Sequence, residues 1–406
     1  MSADLVAREF ERITLARGAL ADGDVRSLAA LPARWVEVSW HPFHDEGRIV
    51  VQPQGIVGQI VLPSGRILRV VPKVPVARLW TLIERACGIG DLAVRDDLVP
   101  VEGVEGVFDR VVEILARAVA NRARRGLQHD YVTRVEALSC VRGRLRVEAL
   151  ARAPTSTRLL CEHAEHSGDV DDNAILAWTL ARALRGPLSK EQVRAMARRS
   201  LRALDGVTSL RPFTSRDCEG RTYTRLTECY RPLHALCALV LDALAPSERA
   251  GERAMHAFVV DTARLFERYV ASWLHDRAIG QWLLRAQHHV PLNGGGNLSF
   301  RIDLALFERQ SGRCVAVLDT KYKRAAQPEE GDIQQAVAYA VAMGCEDAFL
   351  IYPSRATSAR TIRVGISARV HCVAYDLDDD LDEAGEALWS RITARIASQP
   401  AAPRRP

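Results

Sequence analysis

The chain has 406 residues, 48 % hydrophobic and 26 % charged, and its 55 basic and 50 acidic side chains leave a formal net charge of +5. That composition excludes a collagen, a mostly disordered chain and a disulfide-held mini-protein, and the length suits two or three domains. No apolar run approaches the roughly 20 residues that cross a bilayer, and the mild positive charge permits a nucleic-acid partner without requiring one.

From the amino end, Met1 to Leu5 shows no basic segment leading into an apolar stretch. No signal peptide is therefore expected, no membrane partner is expected, and a cytoplasmic location is the expectation. Leu5 to Leu20 reads as a helix, and Trp35-Val36-Glu37-Val38 as the end of a strand. Gln59-Ile60-Val61-Leu62 and Arg66 to Val71 flank Pro63-Ser64-Gly65, the pattern of a hairpin. Pro72 and Pro75 stop that second strand, and a helix is expected from Val76 to Ala86. Val107 to Arg125 is amphipathic, with Val111, Val112, Leu115 and Val119 on one side and a basic end. Tyr131 to Glu148 reads as strands broken at Arg142-Gly143-Arg144. Asn173 to Leu244 reads as mostly helical, with Asp171-Asp172-Asn173 as an N-cap cluster.

A loop at Pro246-Ser247 precedes a helix from Asp261 to Arg277. A turn at Gly294 to Asn297 then leads to a strand over Leu298–Phe307 and a second over Cys314–Asp319. A helix over Gly331–Met343, an apolar strand at Ala348–Tyr352 and another at Val370–Tyr375 follow, before a Pro- and Arg-rich tail. The nine cysteines include no Cys-x-x-Cys pair, so a structural zinc site is not expected. No Gly-x-x-x-x-Gly-Lys-Ser/Thr motif is present, so any nucleotide-driven motor must come from another chain. His288-His289 lacks a spaced third ligand and reads as a strand-edge pair. The Arg117–Arg125 and Arg142/Arg144/Arg146 clusters could meet phosphates or a partner, but arginine is abundant everywhere.

Lysine is the informative residue. Only Lys73, Lys190, Lys321 and Lys323 occur among the 55 basic side chains, so lysine is kept where a compact ammonium serves better than a guanidinium, or by chance. Two of the four lie in Asp319-Thr320-Lys321-Tyr322-Lys323. Asp303 sits on one strand and Asp319 closes the next, sixteen residues later. A hairpin pairing brings the two carboxylates to one end of the sheet. Asp319 and Lys321, two apart in extended chain, project to the same face. Two carboxylates with the Thr320 carbonyl and waters make a hard oxygen site suited to Mg2+. An adjacent ammonium can orient a water and balance phosphate charge, the arrangement that hydrolyses phosphodiesters. The alternative is two capping or salt-bridged aspartates beside exposed lysines.

The order helix, strand with Asp303, strand with Asp319-x-Lys321, helix resembles the PD-(D/E)xK nuclease superfamily. More closely it resembles the McrC family, the nuclease subunits of McrBC modification-dependent restriction systems. The resemblance rests on Leu265-Phe266-Glu267-Arg268-Tyr269-Val270, Arg301-Ile302-Asp303, Asp319 to Lys323 and Asp332-Ile333-Gln334-Gln335 with Tyr339. Softer matches lie at Gly58-Gln59-Ile60 through Val74, Gly126-Leu127, Val141 to Arg144 and Asp172 to Leu176. Ile302 stands where the family carries proline, and the stretch between the aspartates is slightly long.

The resemblance implies an α/β fold. Its expected parts are a β-rich, partner-docking domain over 1–150, a helical region over 151–250, a nuclease domain with a mixed sheet flanked by helices over 251–385, and a C-terminal helix and tail over 386–406. It implies a Mg2+-dependent DNA endonuclease with Asp303, Asp319 and Lys321 at its centre. Glu267 would be an outer ligand, and Gln335 and Tyr339 would share a helix face beside DNA or water. The implied partners are an AAA+ GTPase ring of the McrB kind, which this chain would bind and stimulate, and methylated double-stranded DNA. A non-catalytic adaptor that only activates such a ring, or a stand-alone nuclease, are the alternatives.

Overall fold

A computed structural model of the chain describes residues 4–16, 18–41, 48–91, 103–148, 157–244, 256–291, 298–323, 328–353, 360–365 and 368–397. The loop expected at Pro246-Ser247, the turn expected at Gly294 to Asn297 and the tail from Pro400 lie outside the described residues. The chain divides into two compact units, one of residues 1–86, 248–255 and 259–406, the other of residues 87–247 and 256–258. Boundaries were expected at 150 and 250. The first 86 residues instead share a unit with the carboxyl-terminal half, because β-pairing and buried polar contacts tie them there.

The amino-terminal part of the first unit contains β1 (Leu5–Arg8), β2 (Ile13–Leu15), α1 (Asp22–Ala29), β3 (Val36–His41), β4 (Arg48–Pro53), β5 (Ile56–Val61), β6 (Ile67–Val71) and α2 (Val76–Ala86). β5 and β6 form the expected antiparallel hairpin, with Ile60 opposite Leu68 and Gly65 at φ 88° in the turn. A positive φ there suits glycine, which has no Cβ to clash. The helix expected over Leu5 to Leu20 is absent. Leu5 to Arg8 lie parallel to Leu68 to Val71 of β6, and Ile13 to Leu15 lie antiparallel to β4. Strand pairing with distant segments has overridden the local helical spacing.

The second unit contains α3 (Val104–Arg125), β7 (Asp130–Leu138), β8 (Arg144–Leu145), β9 (Leu159–Ser167), α4 (Asp171–Leu184), α5 (Glu191–Arg202) and α6 (Arg231–Ala243). α3 buries Val111, Val112, Leu115 and Val119, as its spacing requires, and packs against the three later helices. Asp171-Asp172-Asn173 do not cap α4. Val170 holds the N-cap position, and the buried Asn173 amide instead donates to the Gln128 and Gly168 carbonyls, each at 2.8 Å, while accepting from Tyr230 OH at 2.6 Å.

The chain returns to the first unit along β10 (His256–Asp261), which lies beside β5. Then come α7 (Thr262–Arg277), β11 (Trp282–Pro291), β12 (Ser299–Glu308), β13 (Cys314–Thr320), α8 (Glu330–Met343), β14 (Asp347–Tyr352), β15 (Arg360–Val364), β16 (Ala368–Ala374) and α9 (Leu381–Ala397). These strands form one mixed sheet in the order β11-β12-β13-β14-β16-β15. β13, β14 and β16 run parallel; the outer pairs are antiparallel. Cys314 to Asp319 is an uninterrupted buried run, as a strand covered on both faces must be. Val317, Leu350, Val370 and Cys372 pack under Ala336, Tyr339 and Ala340 of α8. α7 packs against β11 and β13, and α9 packs against α7 and β16. At the far end of the sheet the fully buried Asp347 accepts from Arg369 Nε at 2.7 Å and pairs with His371 Nε2 at 2.8 Å.

α9 crosses α7 closely at Gly385. A Cβ there would overlap Cε2 of Trp273, a rigid and fully buried ring. Gly385→Ala is therefore expected to lower stability to chemical denaturation by about 1–3 kcal/mol through overpacking. A variant as stable as the parent would show that the two helices can separate freely.

Candidate active site

Register places the key residues. Leu304 faces Leu318 across β12 and β13, so Asp303, one step further, stands opposite Asp319. β11 continues the row, because the pairs Ala286–Leu304 and His288–Ile302 put Gln287 opposite Asp303. The row lies where β13 ends, and ligands gather outside the carboxyl ends of parallel strands.

Asp319 is 3 % exposed. Lys321 reaches back so that Nζ lies 2.7 Å from Asp319 Oδ2 as an ion pair. Among the described residues this buried oxygen has no other donor. The Lys321 backbone N–H donates to Ile351 O at 2.8 Å, which anchors the residue beside β14. Its ammonium also donates to Gln335 Oε1 at 2.8 Å, and Gln335 Nε2 donates to Tyr339 OH at 2.7 Å. Gln335 and Tyr339 thus share the α8 face, as expected, and fix the ammonium from the side opposite the strand.

Asp303 Oδ2 accepts from the Thr320 N–H at 3.2 Å and the Thr320 hydroxyl at 3.3 Å. Thr320 therefore braces Asp303 through its N–H and hydroxyl, a contact the sequence did not foretell. Glu267 lies on α7 and accepts from Gln287 Nε2, whose Oε1 in turn accepts from Arg301 Nε. Among the described residues, no three His, Cys, Asp or Glu side chains converge closely enough to hold a metal ion, so Glu267 does not close a cluster with the two aspartates. His288 and His289 belong to the edge strand β11, where His288 meets the Phe307 ring edge-on at 5.5 Å.

The electrostatics are those of crowded carboxylates. Burial pushes the Asp319 carboxyl up to about 7, the Asp303 charge adds to the rise, and Lys321 opposes it. Burial, then the Asp303 charge, pushes Glu267 up to about 8 against the pull of Arg301, Arg264 and Arg268. Burial also raises Asp303, opposed first by the Thr320 N–H and then by Lys321.

Several contributors escaped sequence reasoning. Asp332 is buried on α8 and accepts from Lys323 Nζ at 2.9 Å, with Tyr352 OH 3.4 Å away. It fell within the quoted Asp-Ile-Gln-Gln stretch and forms a capping box with Glu329, a readable signal. Gln287 had no signal, although it holds φ at 49°. Such left-handed backbone is uncommon for a residue with a side chain and gathers at functional sites.

The profile of the family described as McrBC 5-methylcytosine restriction system component matches residues 51–353. The chain belongs to this family. The McrBC match takes in Glu267, Asp303, the Asp319-Thr320-Lys321 element, Gln335 and Tyr339. A solved structure described as the refined half-complex from a tetradecameric assembly of Thermococcus gammatolerans McrB AAA+ hexamers with bound McrC contains a similar chain. The TM-score is 0.50 at 15 % identity, over 96 % of this chain and 100 % of that one. The cryo-EM structure of the Thermococcus gammatolerans McrBC complex contains another, with a TM-score of 0.41 at 19 % identity, over 68 % of this chain and 88 % of that one. At 15 % identity the first likeness supports the fold, a mixed α/β architecture like that of its McrBC counterpart. No curated protein matches the chain. Among the described residues, no helix is long and apolar enough to cross a membrane.

The raised carboxyl groups make the metal-free chain less stable as the pH rises, opposed between about pH 4 and 6.5 by the buried His234, whose pKa burial lowers to about 4. The unfolded chain ionises Asp319 and Glu267 near pH 4 (about the free-carboxyl value), while the folded chain resists to about 7 and about 8. The folded state binds more protons across that window, so their contribution is full below about pH 4 and is lost as the pH rises through about 8. In chelator, the thermal midpoint should fall over this range, and Asp319→Asn should flatten the fall and melt later than the parent at the alkaline end. A parent midpoint that rises between about pH 6.5 and 8 contradicts this.

Proposed function

We propose that this chain is a Mg2+-dependent DNA endonuclease of the PD-(D/E)xK type, the cutting subunit of a modification-dependent restriction system, working in the cytoplasm with an AAA+ GTPase ring. The observation that carries the reading is the row of Asp303 and Asp319 with Lys321 held between Asp319 and Gln335. The order of its parts supports the superfamily: a helix with Glu267, a strand with Asp303, a strand closing in Asp319-x-Lys321, and a helix with Gln335.

The residues fit a hard divalent cation. Asp319 Oδ2 is buried with the Lys321 ammonium as its one contact among the described residues, and three carboxyl groups are raised by burial and, for Asp319 and Glu267, by the charge of Asp303. A divalent cation would relieve that crowding of acceptor oxygens without the need to protonate them. Asp303, Asp319 and the Thr320 carbonyl would hold Mg2+, which keeps several waters and needs few protein ligands. When bound it supplies Lewis-acid polarisation of the scissile phosphate and a more acidic water.

The chain's own side chains do the rest. The Lys321 ammonium offsets phosphate charge and orients the attacking water, because Gln335 and Asp319 leave it one direction in which to reach. Tyr339 keeps the Gln335 carbonyl oxygen turned toward Lys321. Thr320 aims the Asp303 carboxylate. Arg264, Arg268 and Arg301 lie near enough to Glu267 to lower its pKa, and so put positive charge beside the site, as a polyanion requires. The partner follows from family membership and from the likeness to a chain in an assembly of McrB AAA+ hexamers with bound McrC. The 5-methylcytosine in the family's description supports a methylated double-stranded DNA substrate. Residues 1–150, which contribute to both units, are proposed to carry the surface that docks to the ring and stimulates its GTP hydrolysis.

The test uses the full chain with its AAA+ partner, GTP, Mg2+ and methylated plasmid. Asp319→Ala should slow cleavage at least about 100-fold, as loss of a ligand to the metal that offsets developing charge does, while stimulation of the partner's GTPase stays intact. Cleavage at the parent rate would remove the catalytic assignment and leave an adaptor. Cutting without partner or nucleotide would instead mark a stand-alone nuclease.

A further inference from the structure

Of the four lysines among 55 basic residues, two flank Tyr322 in sequence and a third, Lys73, packs on its ring. Tyr322 lies between Lys321 and Lys323 and is 7 % exposed. Lys73, from just beyond β6, places its ammonium 3.8 Å from the Tyr322 ring centroid and donates to the Lys323 carbonyl at 3.2 Å. The position suits a compact cation that can sit on a ring face and point one N–H past its edge.

Beneath Tyr322 lies Glu9, at the end of β1 and 6 % exposed. Its Oε2 accepts from Tyr322 OH at 3.2 Å and from the Lys73 backbone N–H at 2.9 Å, and its Oε1 accepts from Thr262 Oγ1 at 2.5 Å. A carboxyl taken out of water costs several kcal/mol unless hydrogen bonds replace the lost hydration. Glu9 obtains them from three separate stretches of chain. Two of these frame the candidate site. Thr262 heads α7, which carries Glu267, and Tyr322 follows directly on Asp319-Thr320-Lys321. Phe266 of α7 also packs on the Tyr322 ring, with centroids 5.9 Å apart.

The backbone beside Glu9 shows the same constraint. Phe10 has φ 63° and its N–H donates to Pro53 O at 2.9 Å. Phe10 and Gln287 are the two non-glycine residues with positive φ among those described. Gln287 touches Glu267, and Phe10 faces Tyr322 with ring centroids 6.4 Å apart. A bulky residue holds that conformation only when its surroundings demand it. Both strained positions therefore flank the elements that carry the candidate site.

We propose that Glu9, with Lys73, is a positioning residue for the nuclease centre: through the Tyr322 hydroxyl and ring it fixes the Asp319-Thr320-Lys321 end of β13 relative to α7. The inference rests on the nuclease reading above. It makes the first strand of the chain, which lies before the residues of the McrBC match, part of the cutting apparatus.

Tyr322→Phe removes the hydroxyl and keeps the ring; Glu9→Gln keeps the size and loses one acceptor. Three quantities are read on the full chain: cleavage kinetics with the AAA+ partner, Mn2+ affinity by calorimetry without partner or DNA, and the thermal midpoint. Tyr322→Phe should lower kcat by about 10-fold or more, as small displacements of reacting groups do, and weaken Mn2+ binding. KM for DNA should stay within about twofold, the pattern of lost transition-state interactions. The double variant should lose no more than the worse single one, because both break the same contact. Variants with parental kcat and Mn2+ affinity and only a lower midpoint would reduce Glu9 to a buried structural acid. Should Glu9→Gln fail to fold, Tyr322→Phe decides alone. A parent chain that neither cuts nor binds Mn2+ overturns the nuclease reading itself, a result distinct from a parent that does both and a variant that matches it.

Discussion

The structure turns on one electrostatic imbalance. Asp303, midway along β12, faces Asp319 at the end of β13, Asp319 almost without solvent, and a single ammonium from Lys321 stands between Asp319 and α8. One cation at 2.7 Å does not offset burial together with a second carboxylate, so the Asp319 carboxyl is pushed up to about 7. A fold holds such a group only if its framework is stiff. The surrounding elements supply that stiffness: a strand buried on both faces, Thr320 clamped on Asp303, and a lysine whose backbone is tied to β14 and whose tip is tied to Gln335.

The two ends of the same sheet show what the imbalance means. At the far end Asp347 is as deeply buried as Asp319, but Arg369 and His371 both reach it. Its carboxyl is held below the usual range, because those partners outweigh burial. A satisfied buried acid of that kind pins two strands. Asp319 Oδ2 has only the Lys321 ammonium beside it among the described residues, as a candidate ligand would. The contrast separates a structural acid from a candidate ligand within one sheet.

Much of this was legible in the sequence where local pattern and tertiary structure agree. The Pro63-Ser64-Gly65 hairpin, the helix from Val76 to Ala86 and the two strands that carry the aspartates lie where turn residues and apolar runs put them. The side-chain period of two brought Asp319 and Lys321 together, and the helical period brought Gln335 and Tyr339 together. Long-range pairing was not legible. Leu5 to Arg8 carries helix-like spacing, yet it becomes a strand because β6 lies alongside. Glu9 meets Tyr322 across 313 positions of sequence, and no local pattern announces such a contact. The scarcity of lysine was a trace of it, since Lys73 was already marked as one of four. The grouping of residues 1–86 with the carboxyl-terminal half was not legible for the same reason: a β-rich start looks like a domain of its own until its buried contacts with the distant half are seen.

The central claim is that Asp303 and Asp319 together hold a divalent cation. Crystals of the full chain soaked in Mn2+ and measured at the manganese absorption edge test it directly. An anomalous peak is expected between the two aspartate carboxyl groups, absent in Asp319→Ala. Manganese bound elsewhere while that position stays empty, or a peak that survives the substitution unchanged, would contradict it.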